Sequence, residues 1–162
     1  MENFNTVNRF RFSLAFLFLV SCAQPETLTE AEKNKIVQEA KETLDNYYKD
    51  IRKEGLMAEF KYLDNSADFF WIPPGYDSPL SYDSIASILN SNAALLKSVE
   101  NAFDTLRIIP LTNQLVTYTG RLHSVVTDTS GKTSHHVLVE TGTLIKRKGG
   151  WKLLNGQTNL VK

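Results

Sequence analysis

Few side chains in this sequence are suited to chemistry at neutral pH: there are three histidines and one cysteine. His135 and His136 are adjacent, so on a strand they point to opposite faces and do not share one metal ion. The cysteine, Cys22, stands far from every histidine, and no histidine pair has helical spacing, so neither a metal nor another cofactor is expected. Proton transfer is the remaining chemistry, and it needs an acceptor of shifted pKa within hydrogen-bond reach of a substrate. His123 lies in a run where Thr117, Thr119 and Arg121 share its face, while Val116, Tyr118, Leu122 and Val126 share the other. The apolar set is expected to face the core, which turns His123 outward and makes Tyr118 the better pocket residue. Glu140 shares a face with Leu138 and Gly142, opposite Thr141 and Thr143. Its expected role is that of a cross-strand partner for Arg121 or Lys152 on the outer face of a sheet, rather than a catalytic acid. The last apolar run alternates Trp151, Leu153, Asn155, Gln157 and Asn159 on one side with Lys152, Leu154, Gly156, Thr158 and Leu160 on the other. Asn155 and Gln157 orient a ligand by hydrogen bonds but accept no proton at neutral pH.

The elements that must position these groups fall into two blocks. Thr29 and Glu32 have the spacing of a capping box, and Ile36, Val37, Ala40, Leu44, Tyr47, Tyr48 and Ile51 follow at three- and four-residue intervals. A first helix is therefore expected, ended by Gly55, with a second short one over Leu56, Met57, Phe60 and Leu63. Residues 68–72 are aromatic and stop at Pro73-Pro74-Gly75, which suits a short edge strand. Ser81 caps a third helix expected from about Tyr82 to Lys97, with Ile85, Ile88, Leu89, Leu95 and Leu96 on its buried side. Beyond it, residues 100–109, 114–127, 133–147 and 151–161 are β-favouring runs separated by Pro110–Asn113, Asp128–Lys132 and Lys148-Gly149-Gly150. Connectors this short imply an antiparallel meander of these four strands.

The chain has 162 residues, 42% hydrophobic and 22% charged, which suits one globular core. Its 18 basic side chains balance 18 acidic ones, so the positive surface a nucleic-acid binder needs is lacking, and nucleic acid is excluded as an expected partner. Residues 1–21 read as a cleaved signal peptide: Arg9 and Arg11 precede the apolar run from Phe12 to Val20, which ends at Ser21. As a helix that run rises only about 14 Å against roughly 30 Å of hydrocarbon, too short for a permanent span.

Leu19-Val20-Ser21-Cys22 resembles the bacterial lipobox, in which the cysteine is acylated and becomes the mature N-terminus. The resemblance implies a lipoprotein carrying palmitate-type acyl chains on Cys22, a tether over 22–28 and a folded domain over 29–162. Ala23 in place of aspartate resembles the pattern that sorts such proteins to the outer membrane, facing the periplasm. The order of the elements resembles the nuclear transport factor 2-like superfamily, in particular its SnoaL-like branch. The likeness is carried by Asp68-Phe69-Phe70-Trp71 running into Pro74-Gly75, by Val116 to Gly120, by Thr143, and by Lys148-Gly149-Gly150-Trp151-Lys152-Leu153. It implies an α+β fold: a cone-shaped, curved antiparallel sheet wrapped around about three N-terminal helices, with a pocket at its open end and homodimers common.

Enzymes of this likeness use an Asp or His base with a Tyr, which nominates Asp68 or His123 with Tyr118; the positions of Asn155 and Gln157 often carry a histidine in them, and here both are amides. The expected ligand-binding residues are Tyr47, Trp71, Tyr118, Thr143, Asn155 and Gln157. The function expected is binding of a small hydrophobic molecule or a protein partner at the membrane without catalysis. The alternative is an isomerase- or cyclase-type enzyme acting on a small hydrophobic substrate. The fold hosts both, so the site must decide.

Overall fold

A computed structural model describes residues 27–161. The signal segment 1–21 and Cys22 lie outside the described residues. Helix α1 spans Glu30–Glu54 and begins with the expected capping box: the Glu32 amide donates to Thr29 Oγ1 at 3.3 Å, and the Thr29 amide donates to Glu32 Oε2 at 2.8 Å. Ile36, Ala40, Leu44, Tyr47, Tyr48 and Ile51 are its buried stripe. Gly55, at φ 87°, closes the helix by donating its amide to the Ile51 carbonyl at 2.8 Å.

A 3-10 turn over Leu56–Lys61 follows, then β1, Phe70–Ile72, and α2, Tyr82–Ala93, whose N-cap is Ser81. Four long strands complete the chain: β2 Leu96–Pro110, β3 Leu115–Asp128, β4 Thr133–Arg147 and β5 Gly150–Leu160. They form the expected antiparallel meander, and β1 adds to its far edge parallel to β5, giving the order β1-β5-β4-β3-β2. The sheet is curved and open, and its concave face packs on α1 and α2.

Two local expectations are corrected. Helix α2 stops at Ala93, and Leu95 is 60% exposed rather than part of a buried stripe. The end of the helix is rich in poor helix formers: Asn90 and Ser91 turn their side chains back onto the carbonyls of Ala86 and Ser87. Leu96 to Val99 instead find strand partners at Asp128 to Val126, so β2 begins earlier than its β-favouring composition indicated. The second correction concerns β5. Leu153 faces Leu144 across the ladder and Asn155 faces Thr143, so Leu154 is an extra, bulged residue. From there on the two faces of the strand exchange roles: Trp151 and Leu153 point inward, and after the bulge so does Thr158, while Asn155 and Gln157 turn outward.

The concave face is bent around three glycines, each covered by an aromatic ring. A Cβ at Gly120 would lie 2.6 Å from the Phe103 ring, one at Gly142 2.9 Å from Tyr118, and one at Gly156 2.5 Å from Trp71. Gly142 pairs with both Tyr118 and Gly156, and Gly156 pairs with Trp71, so Trp71, Gly156, Gly142 and Tyr118 form one row across four strands. The missing side chains let Tyr118 and Trp71 lie over the sheet instead of standing on it.

Candidate functional site

One row further along, Thr158 of β5, Glu140 of β4 and Gly120 of β3 are neighbours. Glu140 is therefore on the concave face, 5% exposed, and not an outer-face partner of Arg121 or Lys152. The expectation fails because Leu138 and Leu144, two and four residues away, both need the core, and strand alternation carries Glu140 in with them. A carboxylate is tolerated there because hydroxyls surround it. Tyr118 donates to Oε1 at 2.8 Å, Thr158 donates to Oε2 at 3.0 Å, and Tyr48 of α1 lies 3.0 Å from both oxygens. The Thr158 hydroxyl in turn accepts from Trp71 Nε1 at 3.1 Å. That relay commits the threonine proton to Glu140 and fixes the orientation of the carboxyl group. Burial raises the Glu140 pKa, and the Tyr118, Tyr48 and Thr158 hydroxyls oppose the rise. All three hydroxyls would be orphaned donors without it.

Above this group lies a cavity of about 240 Å³. Tyr47 and Tyr48 of α1 with Leu56 and Glu59 of the 3-10 turn form one wall, and Phe69, Trp71, Pro73 and Pro74 form another. Helix α2 contributes Ile85, Ile88, Leu89 and Asn92. The sheet closes the floor with Val99, Asn101, Leu122, Val126, Leu138, Glu140 and Thr158 among others. A cavity of about 150 Å³ suffices for benzene, so this one has room for a molecule of roughly two fused rings or a ring with a short chain.

Glu59 is the second carboxyl at the cavity. Tyr47 donates to its Oε2 at 3.0 Å, and no other hydrogen bond reaches its carboxyl among the described residues. Burial raises its pKa to about 7; the Tyr47 bond opposes this, and the charge of Glu140 adds to it. Asn101, on the inner face of β2, has a buried Oδ1 with no hydrogen-bond partner among the described residues. The hydroxyls of Tyr47, Tyr48 and Tyr118 are held well above their usual pKa, chiefly by burial and then by the neighbouring carboxylates, so they act as donors rather than bases.

The residues singled out from the sequence divide into three groups. Tyr47 and Trp71 line the cavity, and Tyr118 lies buried beneath Glu140 and positions it. Thr143, Asn155 and Gln157 share a shallow groove on the outer face with Phe70 and Ile72, the two amides carried there by the Leu154 bulge. The candidate bases are outside the cavity. Asp68 is exposed on the loop before β1, and the His123 side chain is 60% exposed on the outer face, with Nδ1 2.6 Å from Asp104 Oδ1. His135 is exposed, while His136 Nε2 lies 3.1 Å from Ser134 Oγ. Glu140 was visible as an acid in an apolar strand. Glu59, Asn101 and Thr158 carry no comparable signal, since a 3-10 turn has no long periodicity and a bulge leaves no mark in composition.

No family model and no curated protein sequence matches this chain. Its shape has clear parallels among solved structures. A nuclear transport factor 2-like superfamily protein from Salmonella enterica superposes with a TM-score of 0.68 at 16% identity, covering 80% of this chain and 93% of its own. A candidate scytalone dehydratase from Novosphingobium aromaticivorans gives a TM-score of 0.73 at 8% identity, over 83% and 89% of the two chains. A hexachlorocyclohexane dehydrochlorinase from Novosphingobium barchaimii gives 0.66 at 11% identity, over 83% and 92%. The chain thus has the nuclear transport factor 2-like fold.

Proposed function

We propose that the domain is a receptor for one small, largely apolar molecule, held in the cavity above Glu140 and displayed at a membrane by a lipid on Cys22. The observation that carries the binding reading is the cavity itself: apolar walls from both helices and the sheet surround a few polar groups, the usual composition of a small-molecule site. Glu140 is saturated by three hydroxyl donors, which favours a fixed recognition group over a free base. The test is native mass spectrometry of the full-length protein taken gently from its own envelope. The expected result is a retained small molecule that is lost in Val126→Trp, whose indole would occupy the cavity; a wild-type protein that is always empty would overturn the reading. Val126 is only partly buried, so the variant should remain folded by circular dichroism.

The lipid anchor rests on the lipobox-like Leu19-Val20-Ser21-Cys22 after the Phe12–Val20 run. Among the described residues no helix is long and apolar enough to cross a membrane. Cys22→Ser is expected to move the protein from the membrane fraction to the soluble envelope fraction. Unchanged partitioning would remove the lipid from the account.

A second reading, proton-transfer catalysis in the same cavity, is favoured by one observation. Glu59 has a pKa near 7 and a single hydrogen-bond donor, so it is the group able to exchange a proton there. Proteins of like fold named as a dehydratase and a dehydrochlorinase are consistent with it. Asp68 and His123 have no place in such a mechanism. Turnover of a retained molecule, abolished in Glu59→Gln, is the result that would decide for it.

A further inference from the structure

The charge-bearing side chains of the cavity are both acids. Glu59 and Glu140 are carboxyls, and Asn101 carries a buried carbonyl oxygen that accepts no hydrogen bond among the described residues. Among the described residues no lysine, arginine or histidine lines the cavity; Lys41, Lys49 and Arg52 face a separate groove along the other side of α1. The hydroxyls of Tyr47, Tyr48 and Thr158 are already committed as donors to the two carboxyls. Among the described residues the site therefore holds two acids and no positively charged side chain, and its amides, Asn92 and Asn101, are neutral. An anionic ligand would meet two carboxyls with no compensating cation, in surroundings where such repulsion is weakly screened.

From this geometry we infer that the occupant is an organic cation: a primary or secondary ammonium carried on an apolar body of about one or two rings. The ammonium supplies N–H donors to the unshared oxygen of Glu59 and to Asn101 Oδ1, and its charge offsets the two carboxylates. The rings of Tyr47, Tyr48, Phe69 and Trp71 provide aromatic walls, which attract cations through their π-faces. Burial of the apolar body against Ile85, Leu89, Val99 and Leu122 supplies the remaining affinity. Glu59 is the residue that discriminates charge, because its carboxyl has one hydrogen bond where Glu140 is held by three hydroxyls.

This assignment rests on the cavity-binding reading, and one experiment separates the two. The full-length protein in lipid nanodiscs is titrated calorimetrically at pH 7.5 with three near-isosteric probes: 3-phenylpropylamine, 3-phenylpropan-1-ol and 3-phenylpropanoate. The first is a cation, the second neutral and the third an anion. The expected result is that the amine binds at least about tenfold more tightly than the alcohol, roughly 1.4 kcal/mol. The carboxylate should show no heat, and Glu59→Gln should remove most of the preference for the amine. Binding of the alcohol or the carboxylate as tightly as the amine would overturn the charge assignment while leaving the cavity reading standing, and so would an undiminished preference in Glu59→Gln. Absence of binding by all three would overturn both.

Discussion

At the scale of single residues, two acids at the cavity set the terms, Glu140 buried and Glu59 half-buried. Carboxyls are normally kept at the surface because removing a charge from water costs more than most contacts return. Glu140 is retained by three hydroxyls and Glu59 by one, and in both cases burial wins over the hydrogen bonds and the pKa rises. The consequence for stability has a definite sign. Below about pH 4.5 Glu59 is protonated in both folded and unfolded chains; between that value and about 7 only the folded chain holds the proton. The folded state therefore loses stability as pH rises through that window, and Glu140 acts in the same direction. The prediction is a lower melting temperature at pH 8 than at pH 6, with the difference reduced in Glu59→Gln. Asp64 has the opposite sign, since Arg147 lowers its pKa by hydrogen bonding at 2.9 and 2.8 Å, but its window lies below pH 3.8 and leaves the comparison untouched. A melting temperature that rises from pH 6 to pH 8 would show that Glu59 is hydrated rather than buried.

At the scale of elements, the sheet is legible in the sequence where alternation is regular and illegible where it breaks. Strand β3 was readable residue by residue: Val116, Tyr118 and Leu122 are buried, and Thr119, Arg121 and His123 are exposed. The capping box and stripe of α1 were equally plain, because both are local patterns with a fixed period. Simple alternation fails in β5 beyond Leu153, since one bulged residue reverses every later side chain. The same bulge brings Thr158 to Glu140 and sends Asn155 and Gln157 away, so the wall of the site was hidden by a feature one residue long. The glycine row gives the elements a test of their own. Gly156→Ala places a Cβ 2.5 Å from both the Trp71 ring and the Thr141 carbonyl oxygen, and neither the backbone nor the packed ring has room to yield. The expected loss is about 2–3 kcal/mol in urea unfolding, with changed Trp fluorescence. Gly149→Ala, with nothing within 4 Å, should stay within about 0.5 kcal/mol of wild type.

At the scale of the whole molecule, α1 is fastened to the sheet at two levels, one away from the cavity and one at its edge. Trp151 is the principal fastening at one end. It is 5% exposed in the core, its Nε1 donates to Glu39 Oε2 of α1 at 3.1 Å, and Lys146 Nζ lies 5.4 Å from its ring while bonding the same carboxylate at 2.6 Å. At the other end Tyr48 reaches from α1 to Glu140, so a single helix is tied to β4 and β5 at two separated levels. Between those levels Ala40 and Leu44 are fully buried in the core against the sheet, and the cavity opens beyond Tyr47 and Tyr48, towards the 3-10 turn and α2. Removing the Trp151 ring would undo the first tie and leave a void the size of an aromatic side chain. Trp151→Ala is therefore expected to cost about 3–5 kcal/mol in urea unfolding. Trp151→Phe keeps most of the buried area and should lose only about 1 kcal/mol with the indole hydrogen bond. A loss below 1 kcal/mol for Trp151→Ala would mean that α1 is held on the sheet mainly through Tyr48 and Glu140.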